Sequence, residues 1–190
     1  MGQPKQLLPI GNQTLLQRTV HTALRSQATS VTVVLGAAFE ACSTSLQDLQ
    51  DSKLTLLHNS HYQSGLASSI HCGIHHLIQY QPAIDAVIIS VCDQPDLTPE
   101  IFNQLIQSNS NQPIVASSYA GTIGVPARFD RALFSELLEL EGDRGARHLM
   151  QQYQQPGKVG VIPFDAGAMD LDTIGDYQIF LDRILPNRTH

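Results

Sequence analysis

Two stretches of this chain, SVTVVLGA at 30–37 and IDAVIISVCD at 84–93, are apolar at consecutive positions rather than at alternate ones. A strand of that kind has no face to give to water, so it must lie inside a sheet covered on both sides. KLTLLHN at 53–59, PIVASSY at 113–119 and KVGVIPF at 158–164 are weaker strand candidates. Helix starts stand between them. Thr14 with Gln17 forms a capping box, followed by Leu15, Leu16, Val20, Ala23 and Leu24 on one face. Thr98 precedes Pro99 as an N-cap precedes a first-turn proline. Asp130 can cap RALFSELLEL, Asp143 can cap RGARHLMQQY, and Thr173 can cap the helix carrying Ile174, Tyr177, Leu181 and Ile184. YAGTIGVPARFDRALF is expected to be a strand that turns at Gly121 and continues through Gly124, Val125 and Pro126. Strands alternating with helices predict one α/β domain over residues 1–190, built on a mostly parallel sheet. Ligands of such sheets bind beyond the carboxyl ends of the strands.

The remaining composition narrows the classes of function. With 42% hydrophobic and 15% charged residues over 190 positions, the chain can bury a core and is not of the disordered type. Its longest apolar runs are too short to span a bilayer, and no basic segment followed by an apolar stretch opens it, so a cytoplasmic location without membrane contact is expected. A formal charge of −6 argues against nucleic acid as a partner. Cys42, Cys72 and Cys92 are odd in number and widely spaced, which suits buried free thiols.

The residues that can carry chemistry cluster at strand and helix ends. In VIISVCDQPDLTPE, Asp93 terminates an apolar strand, where a carboxylate can hold Mg²⁺ or merely open a turn. In AMDLDTIGDY, Asp170 and Asp172 fall on one side of an extended segment and repel each other unless a cation or a donor lies between them. Asp172 can equally belong to the turn before Thr173. Gly65, Ser68, Ser69 and Gly73 surround a helix start whose backbone amides can meet an anion or a base edge, a common and weak pattern. His71 and His75 are four apart, as zinc ligands can be, yet no third ligand is nearby and a solvated pair is the simpler reading. Gly124 permits close backbone approach to a ligand, and Arg144 and Arg147 suit either an anion contact or an ordinary surface.

In order along the chain, MGQPKQLLPIG, GLASSIHCGI, DQPDLTPE, GVPARF, GDRGARHLM and DLDTIGDY resemble the molybdenum cofactor nucleotidyltransferases, the MobA-like group. Within it the cytidylyltransferase (MocA) branch is the nearest in pattern. The resemblance implies a Rossmann-like three-layer sandwich of the nucleotide-diphospho-sugar transferase type. It implies transfer of CMP from CTP to a phosphorylated acceptor, a molybdopterin, with pyrophosphate released and Mg²⁺ present. It makes Gly2 and Lys5 nucleotide contacts, Lys5 a phosphate-binding catalytic residue, and Asn59, Gly65, Ser68, Ser69 and Gly73 a base-binding segment. It makes Asp93 the principal Mg²⁺ ligand and catalytic residue, with Asp170 or Asp172 as the second ligand. Gly124, Pro126 and Arg144 would border the acceptor, and a molybdenum oxidoreductase would be a further partner. Use of GTP, a sugar- or alcohol-phosphate acceptor, or non-catalytic binding of the cofactor are the rival readings. The family signature LAAGxSxRMGxxK follows a first strand, and this sequence starts at the methionine inside it. The expectation is therefore an α/β sheet lacking that strand and loop, an exposed strand edge, and weak or absent activity in this form.

Overall fold

The computed structural model describes residues 4–108, 111–153, 155 and 157–184. Gly2 lies outside the described residues. A short antiparallel pair, β1 (Pro9–Ile10) and β2 (Gln13–Thr14), leads into α1 (Leu15–Leu24). The Thr14 capping box forms as the sequence predicts: Thr14 Oγ1 accepts from the Gln17 amide at 3.1 Å, and Gln17 Oε1 accepts from the Thr14 amide at 2.7 Å. β3 (Val31–Leu35), α2 (Phe39–Ser45) and β4 (Leu54–His58) follow, β3 and β4 pairing in parallel from Val31 opposite Leu54 to Leu35 opposite His58. Then come α3 (Leu66–Tyr80), β5 (Ala86–Ile89), α4 (Pro99–Gln107), β6 (Ile114–Tyr119) and β7 (Thr122–Asp130). The chain continues through α5 (Phe134–Leu138), α6 (Ala146–Gln152), β8 (Val159–Pro163) and α7 (Ile174–Ile184).

β5, β7, β6 and β8 form one sheet in that order. β6 and β8 are parallel, whereas β7 runs antiparallel to both β5 and β6. The sheet is therefore mixed where the sequence suggested mostly parallel pairing. The cause is local: Ala120 and Gly121, with φ of 48° and 73°, make a two-residue hairpin that folds β7 back onto β6. A register shift at Ala116/Ser117 accommodates Pro126, which has no N–H for a regular ladder; its carbonyl accepts from Ser117 Oγ at 2.7 Å. Neighbouring residues of β6 serve opposite layers. Ile114 packs with Ile70, Phe129 and Met150, and Val115 packs with Ile101, Phe102 and Leu105. Helices thus cover both faces, which gives the Rossmann-like α/β architecture.

Ser30 Oγ, just before β3, donates to Gln81 Oε1, at the end of α3, at 2.7 Å. Asn59 follows β4 directly and Asp93 lies beyond β5. Among the described residues no ladder joins β3 to β5.

Several expected boundaries move. The strand expected over 84–93 pairs only across Ala86–Ile89, because β7 offers it partners only from Ala127 to Asp130. Asp143 does not cap α6, whose N-cap is Gly145. Asp130 makes no capping bond either, because its carboxylate faces Arg128 Nη2 at 3.0 Å. Thr98 holds the N-cap position of α4 without a capping bond to the backbone. All three cysteines are free, but only Cys42 is fully buried. No helix among the described residues is long and apolar enough to cross a membrane.

Candidate active site

Beyond β5 the chain leaves the sheet and is pinned from both sides. Arg18 Nε, from α1, donates to the Pro95 carbonyl at 3.0 Å. The Leu171 amide donates to the Asp93 carbonyl at 2.9 Å, which sets residues 170–172 beside Asp93. Arg183, in the last turn of α7, grips both oxygens of Asp96 at 2.6 Å. Lys5, opening a single 3₁₀ turn, completes the group: its Nζ donates to Asp93 Oδ2 at 2.6 Å and to Asp172 Oδ1 at 3.0 Å. Three distant parts of the sequence thus place one ammonium and three carboxylates together.

Asp93 is the inner member of this group, with 22% of its side chain exposed against 67% for Asp172. Asp93 Oδ1 is buried and meets no hydrogen-bond donor among the described residues. A buried carboxylate oxygen without a donor is unfavourable, and a hard cation would satisfy it. No group of three or more His, Cys, Asp or Glu is arranged around a metal position among the described residues. A divalent cation there would be held by one or two carboxylates and not by an all-protein cage. Burial disfavours the Lys5 ammonium, but its bonds to Asp93 and Asp172 and their charges outweigh this and hold its pKa above the ordinary 10.5. Burial, and then the Asp93 and Asp172 charges, push the Asp170 carboxyl up from 3.8. Burial and the Asp93 charge push the Cys92 thiol up to about 12, so it stays protonated and is no nucleophile.

A pH prediction follows from Asp170. Its native pKa exceeds its unfolded one, so the folded state holds the proton more tightly and loses stability as pH rises from 3.8 through the native value. In metal-free buffer Asp170→Asn should melt higher than the wild type at about pH 7, and the gain should vanish below about pH 3.8. Calorimetry across that interval reads it; a gain independent of pH would show that charge is not its source.

The start of α3 differs from expectation. Asn59 is buried, and its amide nitrogen donates to Ser68 Oγ at 2.8 Å and Ser69 Oγ at 3.0 Å while its oxygen accepts from the His61 amide at 2.9 Å. Asn59 therefore ties the end of β4 to the start of α3. The helix amides are not all open: Ala67 N donates to the Gly142 carbonyl at 3.0 Å and Ser68 N to the Gly65 carbonyl at 3.2 Å. Gly65 has φ of 106°, and a Cβ there would lie 2.2 Å from the Gly142 carbonyl carbon. Its glycine character is required by that loop. Gly73 is not at the helix start at all; it lies two turns along, and a Cβ there would make ordinary contact with Val34 at 3.5 Å. His75 is exposed and the His76 ring packs on Tyr80, an arrangement that brings no third zinc ligand to His71.

Gly124 and Pro126 are both buried in the β6–β7 hairpin. A Cβ at Gly124 would lie 2.1 Å from Tyr119 Oη, so the close approach is by Tyr119. Tyr119 Oη donates to the Val125 carbonyl at 3.1 Å and accepts from Gln94 Nε2 at 3.2 Å. Gln94, only 2% exposed, also donates to the Gly167 carbonyl at 3.0 Å. This Gln94–Tyr119–Gly167 link, which braces the residue after Asp93, was missed by sequence reasoning; the signal available was a glutamine directly behind an apolar strand. Arg144 is exposed, and Arg147 donates to Thr122 Oγ1 at 2.8 Å.

The chain is similar to known proteins over most of its length. The chain is 26% identical to the purine catabolism protein PucB of Bacillus subtilis over 194 aligned positions, covering 94% of this chain and 88% of PucB. It is similar to Rv0371c of Mycobacterium tuberculosis, solved in complex with manganese, at 27% identity and a TM-score of 0.76, covering 95% and 93% of the two chains. A nucleotidyl transferase of Methanothermobacter shares the fold at 18% identity with a TM-score of 0.79, over 97% and 86% of the chains. The MobA-like NTP transferase domain matches residues 1–157, most of the sequence, and the chain belongs to that family.

Proposed function

We propose that this protein transfers CMP from CTP to a phosphorylated acceptor of the molybdopterin type, in the cytoplasm, and that a molybdenum oxidoreductase receives the product. The observation that carries the reading is the Lys5 ammonium lodged between Asp93 and Asp172 at the carboxyl edge of the sheet, where α/β folds bind their ligands. A nucleoside triphosphate brings several negative charges, and Lys5 is the cation in place to meet them. Mg²⁺, held by Asp93 with Asp170 or Asp172, would supply further positive charge to the phosphate oxygens when bound; the manganese complex of Rv0371c supports divalent-metal use.

In this reading an acceptor phosphate oxygen forms a bond to the α-phosphorus as the bond from that phosphorus to the bridging oxygen breaks. The electron pair leaves with pyrophosphate, and no proton must move if the acceptor phosphate is a dianion. Lys5 offsets charge that builds on the leaving group. Asp93, braced through Gln94 and Leu171, keeps its position without rearranging, which is where electrostatic catalysis gains. Such a step needs no protein nucleophile.

Pyrophosphate release with ATP, CTP, GTP and UTP in turn, with Mg²⁺ and molybdopterin present, tests the proposal. CTP-dependent release is expected. Release with GTP instead would move the base preference, and release only with sugar or alcohol phosphates would move the acceptor. Molybdopterin binding without binding of any triphosphate would replace the enzyme by a carrier.

A further inference from the structure

Gln94 is almost wholly buried, and its Oε1 meets no donor among the described residues. A buried amide oxygen left unpaired is unfavourable, and an apolar side chain of similar length would avoid that cost. Stability alone therefore does not account for a carboxamide at this position; what its nitrogen holds does. Nε2 donates to Tyr119 Oη at 3.2 Å and to the Gly167 carbonyl at 3.0 Å. Tyr119 is fixed in turn by its bond to the Val125 carbonyl at 3.1 Å. A Cβ on Gly124 would lie 2.1 Å from Tyr119 Oη, and one on Gly167 would lie 2.9 Å from the ring, so both glycines leave the room that the tyrosine fills.

The bond to Gly167 gains its meaning from a second one. The Leu171 amide donates to the Asp93 carbonyl, so residues 171 and 167 are pinned to the consecutive residues 93 and 94. One pin leaves a segment free to pivot, and two fix its direction. Asp170 lies between the pins, and Asp172 lies one residue outside them, where it meets Lys5. We propose that Gln94 is a positioning residue. It holds the 167–172 segment in register with Asp93, so that Asp93 and an aspartate of that segment reach one divalent cation together. A site already in place binds its cation without first ordering its ligands. The proposal deepens the metal role given above and rests on it.

The test uses the whole chain with Gln94→Met, which keeps the length of the side chain and removes its bonds. Mn²⁺ affinity is read by electron paramagnetic resonance, and amide hydrogen exchange is read residue by residue. Gln94→Met is expected to weaken Mn²⁺ binding about tenfold or more, as loss of a group that orients metal ligands does. Exchange at the Leu171 amide should quicken about tenfold, while the ladder between β5 and β7 stays as protected as before. Tyr119→Phe, which removes one hydroxyl from the same link, should move both readings in the same direction by less. Wild-type Mn²⁺ affinity in Gln94→Met overturns the proposal, and so does no movement of either reading in Tyr119→Phe. Faster exchange spread over the whole sheet overturns it too, because Gln94 would then be a general support of the fold. Wild-type protein that binds no Mn²⁺ removes the metal reading itself and this proposal with it, so the wild type alone tells the two failures apart.

Discussion

Asp93→Asn is expected to lower nucleotidyl transfer at least about hundredfold, a loss of about 2.7 kcal/mol of transition-state stabilisation. Asparagine keeps the shape of the side chain but removes the charge that holds Lys5 and replaces an oxygen with a donor. The substitution also ends the supply of a carboxylate to a divalent cation, so Mn²⁺ affinity measured by electron paramagnetic resonance should fall together with turnover. The fold should survive: the Lys5–Asp93 pair is partly exposed, pairs of that kind contribute about 1 kcal/mol or less, and Lys5 retains Asp172. Activity within about threefold of the wild type, well under 1 kcal/mol, would remove Asp93 from the chemistry.

Gly65→Ala should be among the most damaging single-methyl changes in the molecule. The added Cβ meets the carbonyl carbon and oxygen of Gly142 at 2.2 and 2.3 Å and the Asp143 nitrogen at 2.7 Å. Those are backbone atoms and cannot rotate away, and φ of 106° is itself strained for alanine. Parting the two loops also breaks the bond from Ala67 N to the Gly142 carbonyl. Together these cost about 3 kcal/mol, and for a domain of this size the melting temperature should fall by about 6–12 °C. Gly73→Ala is the internal control: with only an ordinary contact to Val34 and a helical backbone, it should be neutral or stabilising by up to about 1 kcal/mol. Equal melting of the two variants would contradict the packing at Gly142.

Much of this structure is local enough to be legible in the sequence. The Thr14–Gln17 box is a pattern three residues apart and forms as expected, and the Gly121 turn was visible in its own glycine. Asp143 and Asp130 mislead because a capping residue is chosen in competition: Gly145 takes the cap of α6, and Arg128 takes the Asp130 carboxylate. The expectation of mostly parallel pairing came from strands alternating with helices, a pattern that the direct β6–β7 hairpin interrupts. The candidate site follows the same division. Asp93 stands out because a carboxylate after an apolar run is anomalous by itself. The reasons for Gly65 and Gly124 are invisible, because each is answered by a residue elsewhere, Gly142 in one case and Tyr119 in the other. Gln94 likewise acquires meaning only when β6 and residue 167 close around it.

Lys5 meets Asp93 across 88 positions of sequence and Asp172 across 167. Loops of that size close late and at an entropic cost, so the charged centre cannot exist as a local unit. During synthesis the ribosome must deliver the chain through residue 172 before this centre can assemble. A nascent chain halted before residue 170 would carry its lysine and first aspartate yet lack the segment whose Leu171 amide fastens Asp93. Competence to meet a substrate therefore arrives only once residues 5, 93 and 172 are all in place.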